Sequence, residues 1–321
     1  MKILVTGGAG FIGRWVVKRL LTDHHQVTVL DNFSSGREAN IKAFISHPNF
    51  QLIEGDIKDQ DLIETIFMQQ KFDLCYHLAA CINVQDSIDA PRTTIENDVM
   101  GTFNVLEACR QYGTKMVFMS TCMVYAPCPQ EGSINEEHPV RPASPYAAAK
   151  LAGEHLTLSY YYTYGLPVVV VRPFNTYGPF QKTNGEGGVI AIFLNRALKG
   201  ETLKIYGTGN QTRDFLYVED CANFVARAGL ERAAEGRVLN AGTGRDITIN
   251  SLAAMIASVY FAGDREQVLE HVPHIHPQSE IDRLRCDYNL ASRILNWHPT
   301  VDLEKGLQLT MEWIRTYTRN L

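Results

Sequence analysis

The chain has 321 residues, 45% of them hydrophobic and 20% charged, with a formal net charge of -5. It can therefore bury a large core and offers no broad electrostatic attraction for nucleic acid or anionic lipid. The start, MKILVTGG, has one lysine and too short an apolar run for a signal peptide, and no later run reaches the roughly 18 apolar residues of a membrane helix, so a cytoplasmic protein is expected.

Strand-like and helical patterns then alternate. KILVT precedes FIGRWVVKRLL, QVTVLD precedes the segment around NIKAFI, and FQLIEGD precedes DLIETIFMQ. FDLCYHLA is followed by a helical run over 93–112, and KMVFMS by the helix PYAAAKLAGEHLTLSYYYTYG and a sixth strand, LPVVVVRPF. Short, almost continuously apolar strands separated by helices predict a doubly wound parallel sheet, a Rossmann-type α/β fold. Beyond a Gly- and Asn-rich stretch at 177–188 the elements shorten (TLKIYG, RDFLYV, RVLNAG). The expected division is a dinucleotide-binding domain over 1–177 and a smaller, mainly substrate-binding domain over 178–321, partly interleaved with the first. Seven cysteines (Cys75, Cys81, Cys109, Cys122, Cys128, Cys221 and Cys286) lie scattered without a CxxC pair. That supports neither a disulfide framework nor zinc, and free, mostly packed thiols are expected.

Gly7, Gly10 and Gly13 in TGGAGFIG sit between the first strand and first helix, where small residues let the backbone turn tightly against a pyrophosphate. Asp31 ends the next strand, where a carboxylate can hold ribose hydroxyls and repel a 2′-phosphate, so NAD is expected in preference to NADP. Asp56, ending the third strand, is read either as an adenine contact or as a helix cap. His77 reads as packed core. Tyr146 and Lys150 in YAAAK lie four apart, on one helix face. An ammonium and an oxidised nicotinamide, both positive, would favour the phenolate, making Tyr146 a general base on a sugar hydroxyl.

Together with HLAA, NDVMGT, STCMVY, RPFNTYGP, GNQTRDFLYVED and LNWHP, these motifs resemble the extended short-chain dehydrogenase/reductase family, in its sugar-nucleotide epimerase/dehydratase branch, over almost the whole chain. The resemblance implies Thr121, Tyr146 and Lys150 as the catalytic group. It implies Phe11, Ile12, Asn32, Ile57, Leu78, Ala79 and Ala80 as further NAD contacts. Asn175, Val189, Tyr206, Arg213 and Arg283 would surround a UDP-sugar, the two arginines near its diphosphate. The other reading of Arg213 is an ion pair with Asp214 or Asp220, and of Arg283 one with Glu280 or Asp287. A homodimer through the helices at 93–112 and after Pro145 is implied as well.

In the family's 4,6-dehydratases an Asp and a Glu follow the catalytic Thr, and the decarboxylases keep the Glu. Here Cys122 and Met123 follow, and a thioether moves no proton. A cysteine can, and nearby positive charge would move it toward the thiolate. The departure resembles UDP-N-acetylglucosamine 5,6-dehydratases of nucleoside-antibiotic biosynthesis, which implies C4 oxidation, removal of the C5 proton by Cys122 or Tyr146, loss of the C6 hydroxyl and return of hydride to C4. The alternatives are a 4-epimerase, with Cys122 and Met123 as packing, or a nucleotide-binding scaffold, against which Tyr146 and Lys150 both stand. No metal is expected. His271, His274 and His276 read as loop histidines, and Tyr160, Tyr161, Tyr162 and Tyr164 as core or interface rather than a nucleic-acid platform.

Overall fold

A computed structural model of the protein describes residues 1–128, 132–183, 188–260, 268–274, 277 and 280–319. Six strands, β1 (Lys2–Thr6), β2 (Gln26–Asp31), β3 (Phe50–Glu54), β4 (Leu74–His77), β5 (Lys115–Met119) and β6 (Val168–Pro173), form a parallel sheet with the strand Arg237–Ala241. The spatial order is Arg237–Ala241, β6, β5, β4, β1, β2, β3. Ile3, Leu4 and Val5, like Val168 to Val171, are fully buried, because both sheet faces are covered and an apolar side chain gains on either. On one face lie the helices Phe11–Thr22 and Val218–Leu230, and on the other Gln60–Gln70, Gly101–Tyr112 and Pro145–Tyr164.

The chain leaves β1 for β2 on one side and later returns to β4 on the other. Strand order therefore reverses at β1, and a crevice opens beyond the carboxyl ends of β1 and β4, where such sheets bind ligands. The strand Arg237–Ala241 lies far along the sequence from its neighbour β6, yet Leu239, Asn240 and Ala241 are fully buried there. The run expected as one helix at 93–112 is Pro91–Ile95, a π-helical segment Glu96–Met100 and Gly101–Tyr112. The smaller elements gather around the strand Thr212–Tyr217, which pairs with Asn175–Tyr177, Asp246–Thr248 and Arg283–Leu284. A fourth apolar cluster, holding Cys122, Tyr125, Phe174, Ile281 and Cys286, sits beside the end of β5.

Candidate active site

A cavity of about 490 Å³ lies along the carboxyl ends of the central strands. Its cofactor end follows from the glycine turn. Gly7 has φ +71°, and a Cβ there would stand 2.7 Å from the Ala79 nitrogen; a Cβ on Gly13 would stand 2.1 Å from the Gly7 carbonyl oxygen. The helix Phe11–Thr22 that follows has no side-chain cap and no acid in its first turn, so its amide end is left for an anion. Gly7, Gly10, Phe11, Ile12, Gly13, Asp31, Asn32, Ile57, Leu78, Ala79 and Ala80 all line this end. Asp31 accepts from the Ala9 and Phe33 amides, each at 2.9 Å. Burial raises its pKa while those amides hold it down, and its oxygens keep acceptor capacity for ribose hydroxyls. The cradle fits a dinucleotide.

The helix-cap reading of Asp56 does not hold. Its carboxylate accepts from Asn32 Nδ2 at 3.0 Å and the Lys58 amide at 2.8 Å, and it is not on the cavity wall. The cap of the helix Gln60–Gln70 is Asp59, which accepts from Leu62 at 3.0 Å. His77 is packed core, held between the hydroxyls of Thr6 at 2.7 Å and Thr102 at 3.0 Å, and burial pushes its pKa down to about 3.

At the other end of the cavity stand Thr121, Cys122, Met123, Tyr146, Lys150 and Asn175. The helix Pro145–Tyr164 starts on a Ser144 cap with Pro145 in its first turn, and places Tyr146, Lys150 and Glu154 on one buried stripe. The third member is not in the sequence reading, although it lies a further four residues on. Glu154 accepts from the Ser120 hydroxyl and from Arg172 Nε at 2.8 Å, so a buried ion pair ties the end of β5 to the helix and to β6. Lys150 Nζ lies 4.5 Å from the Phe118 ring centroid. Burial lowers the Lys150 pKa, with Asp98 and then Glu154 opposing. Burial likewise raises that of Tyr146, the charge of Asp98 adds to the rise, and the Thr121 hydrogen bond offsets part of it.

Cys122 is 2% exposed, and burial pushes its thiol up to about 12. Arg213 pulls the other way but does not win. This reverses the expected drift toward thiolate: desolvation of the charged form outweighs the nearby cation. Met123 packs against the apolar cluster beside it.

Asn175 Oδ1 and Gln181 Oε1 are buried without a protein hydrogen-bond partner, and both residues line the cavity. Gln181 carries no motif that sequence reasoning could have used. Arg213 pairs with Glu280 and donates through Nη1 to the carbonyls of Thr212 at 2.8 Å and Ile281 at 2.7 Å. Arg283 pairs with Asp246, Nε to Oδ2 2.8 Å. The carboxylates considered for them are used elsewhere: Asp214 accepts from the Thr243 and Gly244 amides, and Asp220 from those of Thr300 and Val301. Val189, Tyr206, Arg213 and Arg283 stand on the smaller elements and are not on the cavity wall. His271 bonds the Gly207 carbonyl, His274 pairs with Glu280, and His276 lies outside the described residues. Among the described residues no group of three His, Cys, Asp or Glu side chains could hold a metal, and no helix is long and apolar enough to cross a membrane.

The GDP-mannose 4,6 dehydratase family model matches residues 4–310. The UDP-glucose 4-epimerase of Mycolicibacterium smegmatis is 39% identical over 319 residues, 98% of this chain and 99% of that protein. The crystal structure of Pal from Bacillus thuringiensis superposes with a TM-score of 0.95 at 59% identity, covering 99% of this chain and 100% of that one. The UDP-glucose 4-epimerase of Thermus thermophilus, solved in complex with NAD, superposes with a TM-score of 0.89 at 34% identity, covering 98% and 99%. With its glycine cradle, its Tyr-Lys pair and its whole-length match, the chain belongs to the extended short-chain dehydrogenase/reductase family of NAD-dependent sugar-nucleotide epimerases and dehydratases.

Proposed function

We propose that the protein takes a UDP-linked N-acetylglucosamine, oxidises it transiently at C4 and eliminates its C6 hydroxyl, leaving a 5,6-ene sugar nucleotide whose C4 is again an alcohol. The observation that carries this reading is Thr121, Cys122 and Met123 on one cavity wall with Tyr146 and Lys150: complete C4 machinery, with a single thiol where a carboxylate pair would serve 4,6-dehydration. Held by the glycine turn and Asp31, NAD would supply a hydride acceptor and donor for C4. Tyr146 as phenolate takes the C4 hydroxyl proton, hydrogen-bonded to Thr121, with Lys150 one turn along the same buried helix face. Oxidation at C4 makes the C5 hydrogen acidic. Cys122 as thiolate takes that proton, and the thiol so formed hands it to the departing C6 hydroxyl, so one water leaves without change of charge. With a pKa of about 12 even beside Arg213 the resting thiol is almost wholly neutral, so the step depends on further positive charge entering the site with the cofactor. Met123 moves no proton and blocks the route to a 4-keto-6-deoxy sugar. Asn175 and Gln181 line the cavity, and each holds a buried amide oxygen without a protein partner. A uridine nucleotide is supported by the name of the Mycolicibacterium relative.

The neutrality and burial of Cys122 favour a second reading, 4-epimerisation, in which Cys122 and Met123 only shape the wall. Incubation with UDP-N-acetylglucosamine in deuterium oxide separates the two. Mass spectrometry showing loss of one water, with vinyl signals in the proton spectrum and no 4-keto product, is the expected result. Conserved mass with a galacto-configured product makes the protein an epimerase.

A further inference from the structure

Asp98 stands in the π-helical segment Glu96–Met100 and is 1% exposed. Its Oδ1 accepts from the Cys81 amide at 2.7 Å and from Asn97 Nδ2 at 2.9 Å. Its Oδ2 is buried and has no hydrogen-bond partner. An open carboxylate oxygen in a dry site is costly unless positive charge compensates it. That charge is Lys150, on the helix Pro145–Tyr164 that packs against this segment. The same carboxylate acts on Tyr146, one turn away on the same helix face. A π turn, which widens the helix at one point and often marks a functional site, carries the acid here.

The other groups around Asp98 are uncharged. Asn97 is its own neighbour, Cys81 faces it from the loop after β4, and Thr102 bonds its backbone carbonyl. His77 on β4 reaches that hydroxyl and stays neutral through burial. Lys58, Asp56 and Asp86 act on Cys81, and Glu154, which acts on Lys150, is paired with Arg172. The local sum is one anion, one cation and a phenol.

We infer that Asp98 is a positioning residue that sets the charge of the Tyr146–Lys150 pair: its carboxylate cancels the Lys150 ammonium, so Tyr146 yields its proton only when a further positive charge enters the site. With NAD bound, the oxidised nicotinamide would supply that charge. Without Asp98 the lysine alone would favour the phenolate whatever the cofactor's redox state. The burial shifts of the three groups agree in sign: the carboxyl and the phenol are pushed up and the ammonium down.

The inference rests on Tyr146 as the base, and its test separates the two. Asp98→Asn removes the charge and keeps the acceptor for the Cys81 amide. The tyrosinate absorbance of purified enzyme is titrated with pH for wild type and Asp98→Asn, with Tyr146→Phe versions of each subtracted to isolate Tyr146. Its midpoint is expected to fall by about one pH unit in the Asn variant, a roughly tenfold gain in phenolate on the rising limb, and the acid limb of kcat is expected to move with it. A midpoint that stays or rises overturns the inference. Full turnover by Tyr146→Phe would sink the base reading and leave the spectroscopic result to judge Asp98. Should the Asn variant not fold, carbon NMR of the Asp98 carboxyl in wild type and Lys150→Met replaces it. The carboxyl midpoint is expected to rise when the ammonium is lost, and an unchanged midpoint refutes the coupling.

Discussion

Cys122 and His77 show one force giving two outcomes. Each is buried and each is driven to its neutral form, but only Cys122 lies on the cavity wall. Cys122→Ala removes the proton carrier without adding volume. Under the 5,6-elimination it is expected to cut water loss at least a hundredfold, the span of general acid-base catalysis, while C4 oxidation persists as a reduced-cofactor absorbance on mixing with substrate. Undiminished deuterium incorporation at C5 would end the thiol's role. For His77 the consequence is stability. The folded protein keeps it neutral down to about pH 3, whereas an unfolded histidine takes a proton below about 6.5, so the unfolded state binds more protons across that window. Stability is therefore fully present above pH 6.5 and is lost as the pH falls toward 3. Between pH 7.5 and 4.5 the loss is about 3 kcal/mol from this residue. Urea melts at those two pH values should show a smaller drop for His77→Asn, and an equal drop would refute the assignment.

The helix Pro145–Tyr164 was legible in sequence because its signals are local: a serine cap, a proline in the first turn, and a Tyr-Lys spacing that places both on one face. Glu154 extends the same spacing, but its role depends on Ser120 and Arg172, 34 and 18 residues away, and no local pattern marks those contacts. The ion pairs of Arg213 and Arg283 are hidden for the same reason, since Glu280 and Asp246 reach them only through the pairing of distant segments. Glu154 yields a clear expectation. Arg172 is buried, its Nη1 already lacks a partner, and its guanidinium carbon lies 4.6 Å from the Tyr125 ring centroid. Glu154→Ala would leave that cation uncompensated and is expected to cost about 3–5 kcal/mol. The Glu154→Ala, Arg172→Met double variant should recover part of the loss, measured as a shift in the urea midpoint. Simple additivity of the two single costs would show that the pair does not act as a unit.

At the scale of the molecule, the parallel sheet was readable from six apolar runs in order, and the cofactor end from the glycine spacing. The seventh strand was not assigned to the sheet, because its partner β6 lies 64 or more residues earlier and its own run is short. The π turn was equally hidden, since an i to i+5 step leaves no distinct composition. It matters for association as well as for Asp98. It places Ile95 and Met100 five residues apart on either side of one wide turn, and Phe103 follows. All three are exposed, at 43%, 52% and 38%. Tyr162 and Tyr164, at 74% and 57%, are exposed near the end of the adjoining helix Pro145–Tyr164. Apolar side chains grouped on two neighbouring helices are the kind of patch that a second copy covers with its own equivalent face about a two-fold axis. Sedimentation of the purified protein is expected to give twice the chain mass. Met100→Glu with Phe103→Glu puts charges on that face without touching the core, and should halve the sedimenting mass while leaving the thermal melt two-state. A dimer that survives both charges would move the interface to another surface and leave these five side chains without a partner.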